Sequence, residues 1–267
     1  MKRPPRGFTV VELLVAVAIT VVLAGLGFAG YRSARDKARA AVEVNAARNL
    51  MAAYLGHAAD HSGRLLGGYE TDPGATNLRG ETLHFPINAR YPWRLAPYAP
   101  KVDGVLLFNG NERHLEHENS DYLVSVHPNL GINAVFVGGH HGSGSPLRPS
   151  ERLVEAVGKY YVSRTSEAVN ASELIVFASA RADRDTVGNF EVRAPNLLSP
   201  DWSGEAWSES AAASDHGFVD LRWNRKAVTA QLDGSVRMLD ESQLRDMRRW
   251  SNQAARLGDR DFIVGAR

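Results

Sequence analysis

Residues Phe8 to Tyr31 read FTVVELLVAVAITVVLAGLGFAGY, an apolar stretch broken by a single ionised side chain, Glu12. A run of about 20 apolar residues is long enough to cross the hydrocarbon core of a bilayer as a helix. Met1-Lys2-Arg3-Pro4-Pro5-Arg6-Gly7 precedes it and carries three positive charges. Basic residues flanking a span stay cytoplasmic, which puts the C-terminal body on the other side of that membrane. A secretory signal peptide fits less well, because its apolar region is usually about 7–15 residues long and ends at a small-x-small cleavage site. A plain anchor has the length. Yet a carboxylate at the centre of a span costs about 2.5–3.5 kcal/mol on insertion scales, and even one turn inside it calls for a partner.

Arg6-Gly7-Phe8-Thr9-Val10-Val11-Glu12-Leu13-Leu14-Val15 resembles the class III signal of type IV prepilins and type II secretion pseudopilins, with Gly, an aromatic residue, Thr, Glu and Leu at the family spacing. The resemblance implies that a prepilin peptidase cuts after Gly7 and methylates the new amine of Phe8. It also implies that Glu12, fifth in the mature chain, pairs with the Phe8 ammonium of a neighbouring subunit. In a low-dielectric bundle such a pair tolerates burial and fixes register. Cleavage removes three of the 31 basic residues, leaving 28 against 30 acidic ones.

After Tyr31 the chain turns polar but keeps a helical period. Ala40, Val44, Ala47, Met51, Tyr54 and Ala58 form one apolar stripe, while Arg35, Asp36, Lys37, Arg39, Glu43 and Arg48 suit a solvent face. One helix is therefore expected over 8–57, spanning the membrane at about 10–31. Some fifty residues at 1.5 Å each make a rod of about 75 Å. Gly25, Gly27 and Gly30 are weak helix positions where it would bend, or where helices would pack closely.

The head is expected over 58–267, with 1–7 as the leader. His61-Ser62-Gly63 ends the helix region, and Tyr91-Pro92-Trp93-Arg94-Leu95 packs a loop onto the head. Strands are expected at Val105–Phe108, Tyr122–Val126, Ile132–Val137 and Leu174–Ala178, with a helix Glu151–Tyr161 capped by Ser150. Gly138–Pro146 reads as a flexible connection and Pro200–Ser214 as a surface loop, with Trp202 and Trp207 either exposed to partners or packed in the core. Phe218–Trp223, Ala227–Leu232 and Val236–Leu239 read as a three-stranded antiparallel meander through the Asp233-Gly234 turn. Asp240 and Gln243 then form a capping pair opening a helix to about Leu257.

The fold class expected is α+β: a long N-terminal helix on a head with an antiparallel sheet, as the pilin resemblance implies. The segment Arg222–Gly234 is also similar to the C-terminal motif of large planctomycete and verrucomicrobial pseudopilin-like proteins, with Trp223 where that motif has His.

Composition removes several function classes. The chain of 267 residues has no cysteine, so thiol nucleophiles, cysteine-ligated metals and disulfides are absent. A formal charge of +1 provides no basic field, so nucleic acid is not an expected partner. No G-x-S-x-G elbow, P-loop or dinucleotide fingerprint occurs, and Gly142-Ser143-Gly144-Ser145 lacks the strand-to-helix setting of a nucleophile. His114 and His117, with His127 and the His140-His141 pair, are weak candidates for a metal site, since His at i and i+3 can share a helix face; the spacing is not H-E-x-x-H, and surface histidines are the plainer reading. Asp183 and Asp185, with Glu191, are weak candidates for a structural calcium, which resemblance to the major pseudopilins would permit. A solvated charged loop is the plainer reading. No catalytic residue and no other cofactor is expected.

The resemblance thus implies a structural, non-enzymatic filament subunit of a type II secretion or type IV pilus-type system. It would be anchored by one pass in the bacterial inner membrane with its head in the periplasm. Its partners would be the prepilin peptidase, other pilin or pseudopilin subunits and the inner-membrane assembly platform. The alternatives are a membrane-anchored periplasmic binding or hydrolytic domain, and a minor tip subunit that recruits cargo.

Overall fold

The computed structural model describes residues 9–99, 101–145, 147–183 and 186–266, and nothing of the side chains of 26, 27 and 29. Gly7 and Phe8, the leader at 1–7, and Asp185 lie outside the described residues. The chain divides into two compact units, Met1–Ala41 and Val42–Arg267.

The first unit is the N-terminal part of α1 (Val10–Asp60), a helix that Gly25 and Gly30 do not interrupt. It ends three residues past the expected position, and the sequence explains how. Ser62 takes a left-handed φ of 55°, Gly63 donates to the Ala58 carbonyl at 2.7 Å and Ser62 to Ala59 at 3.3 Å. This is a Schellman closure, which satisfies the last carbonyls of the helix.

In the second unit the stripe read from the sequence is the buried one: Ala47, Met51, Tyr54 and Ala58 are at most 1% exposed. They pack on a five-stranded sheet built from β1 (Leu130–Asn133), β2 (Ile175–Ser179), β3 (Glu191–Val192), β4 (Lys226–Gln231) and β5 (Val236–Asp240), in the order β3-β1-β2-β4-β5. Tyr54 meets Phe177 edge-on at 5.5 Å. The other sheet face carries Ile175, Ala178, Ala227 and Leu239, covered by Trp202, Trp207, Leu244, Met247 and Trp250. The inner strands β1, β2 and most of β4 are thus buried on both faces, and β2 reads as a near-continuous apolar run, whereas the edge strand β5 stays partly exposed. The architecture is α+β and pilin-like in general form.

Several elements differ from expectation. The sheet is mixed, because β1 and β3 run parallel, with Ile132 opposite Glu191. Phe218–Trp223 contributes two isolated bridges, Val219 to Ala180 and Arg222 to Lys226, and no strand. The meander is therefore a β4–β5 hairpin, with β2 as the other neighbour of β4. Tyr122–Val126 is helical, within α3 (Ser120–Val126), where Val124 is buried and Trp93 Nε1 donates to the Asp121 carbonyl at 2.7 Å. Val105–Phe108 is a buried turn, held by Phe108 N donating to Asn129 Oδ1 at 3.1 Å. β1 stops at Asn133, whose side chain donates to the carbonyls of Ile175 and Trp250 at 3.0 Å each.

The aromatic 91–95 segment is itself a short helix, α2 (Tyr91–Leu95), fully buried in the head. Ser150 caps α4 (Glu151–Val157) by accepting from Leu153 N, and the helix stops at Gly158 rather than Tyr161. Asp240 and Gln243 form the expected capping box, but on the four-residue α5 (Glu241–Leu244); a 3-10 turn and α6 (Asn252–Leu257) follow. Trp202 and Trp207 are 6% and 5% exposed, anchoring the 200–214 loop in the core.

Gly138-Gly139 is no flexible link. Gly138 has φ +74°, and a Cβ there would stand 1.9 Å from the Leu66 carbonyl oxygen. Its N–H donates to the Val162 carbonyl at 2.8 Å, and the Gly139 carbonyl accepts from Gly68 N at 2.9 Å.

Candidate functional site

α1 opens on a reciprocal cap. Glu12 Oε2 accepts from both the backbone N–H and the hydroxyl of Thr9 at 2.9 Å, and Thr9 Oγ1 accepts from Glu12 N at 3.2 Å. Thr-x-x-Glu in this geometry is a capping box, satisfying orphan N–H groups at the helix start. The conspicuous acid at position 12 thus has a local partner in the isolated chain, a role the sequence reading did not assign.

Beyond the cap the helix is apolar on every face. Val10, Val11, Leu13, Leu14, Val15, Val17, Ile19, Val21, Val22 and Leu23 are all more than half exposed. An 18-residue window of α1 reaches a mean hydropathy of 2.5 with none of it buried, making it long and apolar enough to cross a membrane. An apolar surface of this extent is stable only in lipid or against other apolar helices. The first charges come near its end, where the Arg32 guanidinium lies over the Phe28 ring at 4.4 Å and Arg35 pairs with Asp36 at 3.5 Å.

In the head, α1 holds an acid that the sequence assigned to solvent. Glu43 is fully buried. It accepts a short hydrogen bond from Ser179 Oγ, while Arg222 Nε stands 3.7 Å from Glu43 and 3.4 Å from Asp220. Trp223 brings its indole beside the same carboxyl. Burial raises the Glu43 pKa above its ordinary value, opposed first by Arg222 and then by the Ser179 bond. The sign follows: an acid with a raised folded pKa weakens the fold once pH exceeds the unfolded value near 4.5, by an amount that grows until the folded pKa is passed. The stability of wild type relative to Glu43→Gln is therefore expected to rise as pH falls from 7.5 to 5. Paired thermal melts at each pH read it, and a difference independent of pH would show that Glu43 does not titrate within this window.

The sequence-derived metal candidates do not converge. His114 lies in the 3-10 turn Asn111–Glu116 with its ring 5.7 Å from His127, while His117 Nδ1 accepts from Asn119 N at 3.1 Å. Burial lowers the pKa of His114, with His127 adding to the effect. Asp183 Oδ1 accepts from Ala213 N at 2.9 Å, and Asp183 and Glu191 line different clefts. Among the described residues no group of three or more His, Asp or Glu side chains is placed to hold a metal ion.

The model of the prokaryotic N-terminal methylation motif matches residues 2–28, covering the basic leader, Gly7, Phe8, Glu12 and most of the apolar run. No curated protein and no solved structure matches the chain. That motif belongs to structural rather than enzymatic proteins and implies processing by a prepilin peptidase. The N-terminus is a class III signal, and the chain is consistent with a protein of the prepilin and pseudopilin type.

Proposed function

We propose that the chain is a non-enzymatic structural subunit of a pilus- or pseudopilus-type filament. It enters the bacterial inner membrane as a single-pass precursor with its head in the periplasm. The prepilin peptidase cuts after Gly7 and methylates Phe8, and an assembly platform packs the mature helices of several subunits together. The observation that carries this reading is the helix of residues 10–31. It is apolar on every face and begins with a carboxylate held at its first turn. The cap with Thr9 accounts for the side chain in a lone anchor, but only a bundle whose subunits each present a free amine also gives its negative charge a cationic partner.

The absence of cysteine gives a clean test. A cysteine introduced as Val17→Cys is unique in the chain. Oxidation in cells with the assembly machinery is expected to trap subunits through neighbouring helices, and only when the peptidase is active. Monomer alone, or equal crosslinking without the peptidase, would contradict assembly. A cleft in the head with converging polar groups favours a second role beside this one, recruitment of a partner by a minor subunit.

A further inference from the structure

A cleft of about 510 Å³ opens beyond the C-terminal ends of the parallel pair β1 and β3. Its apolar wall includes Ala134, Val135 and Val192, and Phe85, 68% exposed, stands in its lining. Its polar lining is His140, Glu191, Arg193 and Asp201, with Tyr69, Ser143 and Ser145. Cavities of this size with a few placed polar groups are the usual form of a ligand site.

The polar groups are unequally satisfied. His140 stacks flat on Tyr69, with ring centroids 4.9 Å apart, and its Nδ1 accepts from Gly142 N at 3.3 Å. The proton of the neutral ring is then on Nε2, which stands 3.7 Å from Glu191 Oε2. Burial lowers the His140 pKa, so the ring brings no charge at neutral pH. Arg193 Nη1 reaches Asp201 Oδ1 at 3.4 Å, with its guanidinium 5.0 Å from the Phe218 ring centroid. Asp201 Oδ2 is buried and has no hydrogen-bond partner among the described residues. Two carboxylates thus share one guanidinium in the lining, with Arg90 acting on Glu191 from outside it. Burial raises the pKa of both Glu191 and Asp201, opposed first by Arg193 in each case.

Two carboxylates against one guanidinium leave the lining short of positive charge, which a ligand bringing both N–H groups and a cation supplies. An anion would meet like charge. A neutral polyol would donate hydrogen bonds but leave the excess negative charge in place. An ammonium or guanidinium on an alkyl stem answers both needs. Its head reaches the carboxylates while its stem lies on the apolar wall and against Phe85.

We propose that this cleft binds one cationic amine or guanidinium group on an alkyl stem, carried by a lysine or arginine side chain of a partner polypeptide or by a free alkyl diamine. It deepens the recruiting role above but does not depend on filament assembly. The test is calorimetric titration of the full chain in non-ionic detergent. The probes are acetyl-Ala-Lys-Ala-amide, the same peptide with norleucine, cadaverine and methyl glucoside. Saturable binding of the lysine peptide or of cadaverine, but not of the norleucine peptide or the glucoside, is expected. Preference between the first two identifies the source.

Asp201→Asn is expected to weaken binding about tenfold or more, as loss of a charge-assisted partner does. Should that variant misfold, wild-type protein supplies a second readout. Both cationic probes stay charged from pH 5 to 8, so affinity is expected to fall on acidification as Glu191 and Asp201 take up protons. Failure of both cations to bind, equal binding of norleucine peptide or glucoside, or an affinity unchanged by pH would overturn the proposal. None of these results bears on the crosslinking test of assembly.

Discussion

Glu12→Ala is expected to leave membrane insertion and cleavage after Gly7 intact and to lower filament yield by more than about tenfold, whereas Glu12→Gln separates the two roles the residue holds. In the isolated chain Glu12 closes the capping box with Thr9. Glutamine at the same position can accept the same bonds, so the helix start survives in Glu12→Gln and is weakened by about 0.5–2 kcal/mol in Glu12→Ala. In an assembled bundle the carboxylate would instead face the Phe8 ammonium of a neighbour. Removing one member of a buried ion pair costs about 3–5 kcal/mol, because the other is left buried and uncompensated. If the charge matters, both variants lose filaments. If only the cap matters, glutamine assembles normally and alanine does not. Quantifying the sheared filament fraction, with processed subunit in the membrane as the reference, distinguishes them.

Gly138→Ala is expected to destabilise the head by about 3 kcal/mol or more. Two causes add. A left-handed φ costs a residue with a side chain about 1–2 kcal/mol. Here the new Cβ would also stand 1.9 Å from the Leu66 oxygen, a backbone atom that cannot swing away. Gly144→Ala, in the same glycine-rich segment, is the control. Nothing lies within 4 Å of its Cβ position and its φ is not positive, so its stability is expected to stay within about 0.5 kcal/mol of wild type. Urea unfolding of the full chain in detergent, followed by head tryptophan fluorescence, measures both; equal stability of the two variants would contradict the interlock of the 138 and 66 segments.

How much of this was legible in the sequence depended on range. The stripe through Ala47, Met51, Tyr54 and Ala58 and the cap at Asp240 and Gln243 are short-range patterns, and the structure keeps both. Glu43 was misread because the buried face of α1 is broader than the stripe, extending to Glu43, Ala46 and Leu50. Ser179, Arg222 and Trp223, more than a hundred residues away, make that acid tolerable. Tyr122–Val126 is a five-residue apolar run, too short for periodicity to tell helix from strand, and packing against Trp93 decides it. The glycines at 138 and 139 resembled a linker because composition records flexibility and not close approach. The cleft was invisible for the same reason. Tyr69, His140, Glu191 and Asp201 share no spacing, and they meet only through the β1–β3 pairing and the loops that follow it.

The central claim rests on Gly7 and Phe8, and the mature N-terminus tests it most directly. The full chain is co-expressed with an active prepilin peptidase, and the intact protein and its N-terminal peptide are measured by mass spectrometry. Loss of Met1 through Gly7 with a single methyl group on the Phe8 amine is the result predicted. An intact Met1, or a new terminus beyond Tyr31, in cells where a known prepilin is processed would contradict it.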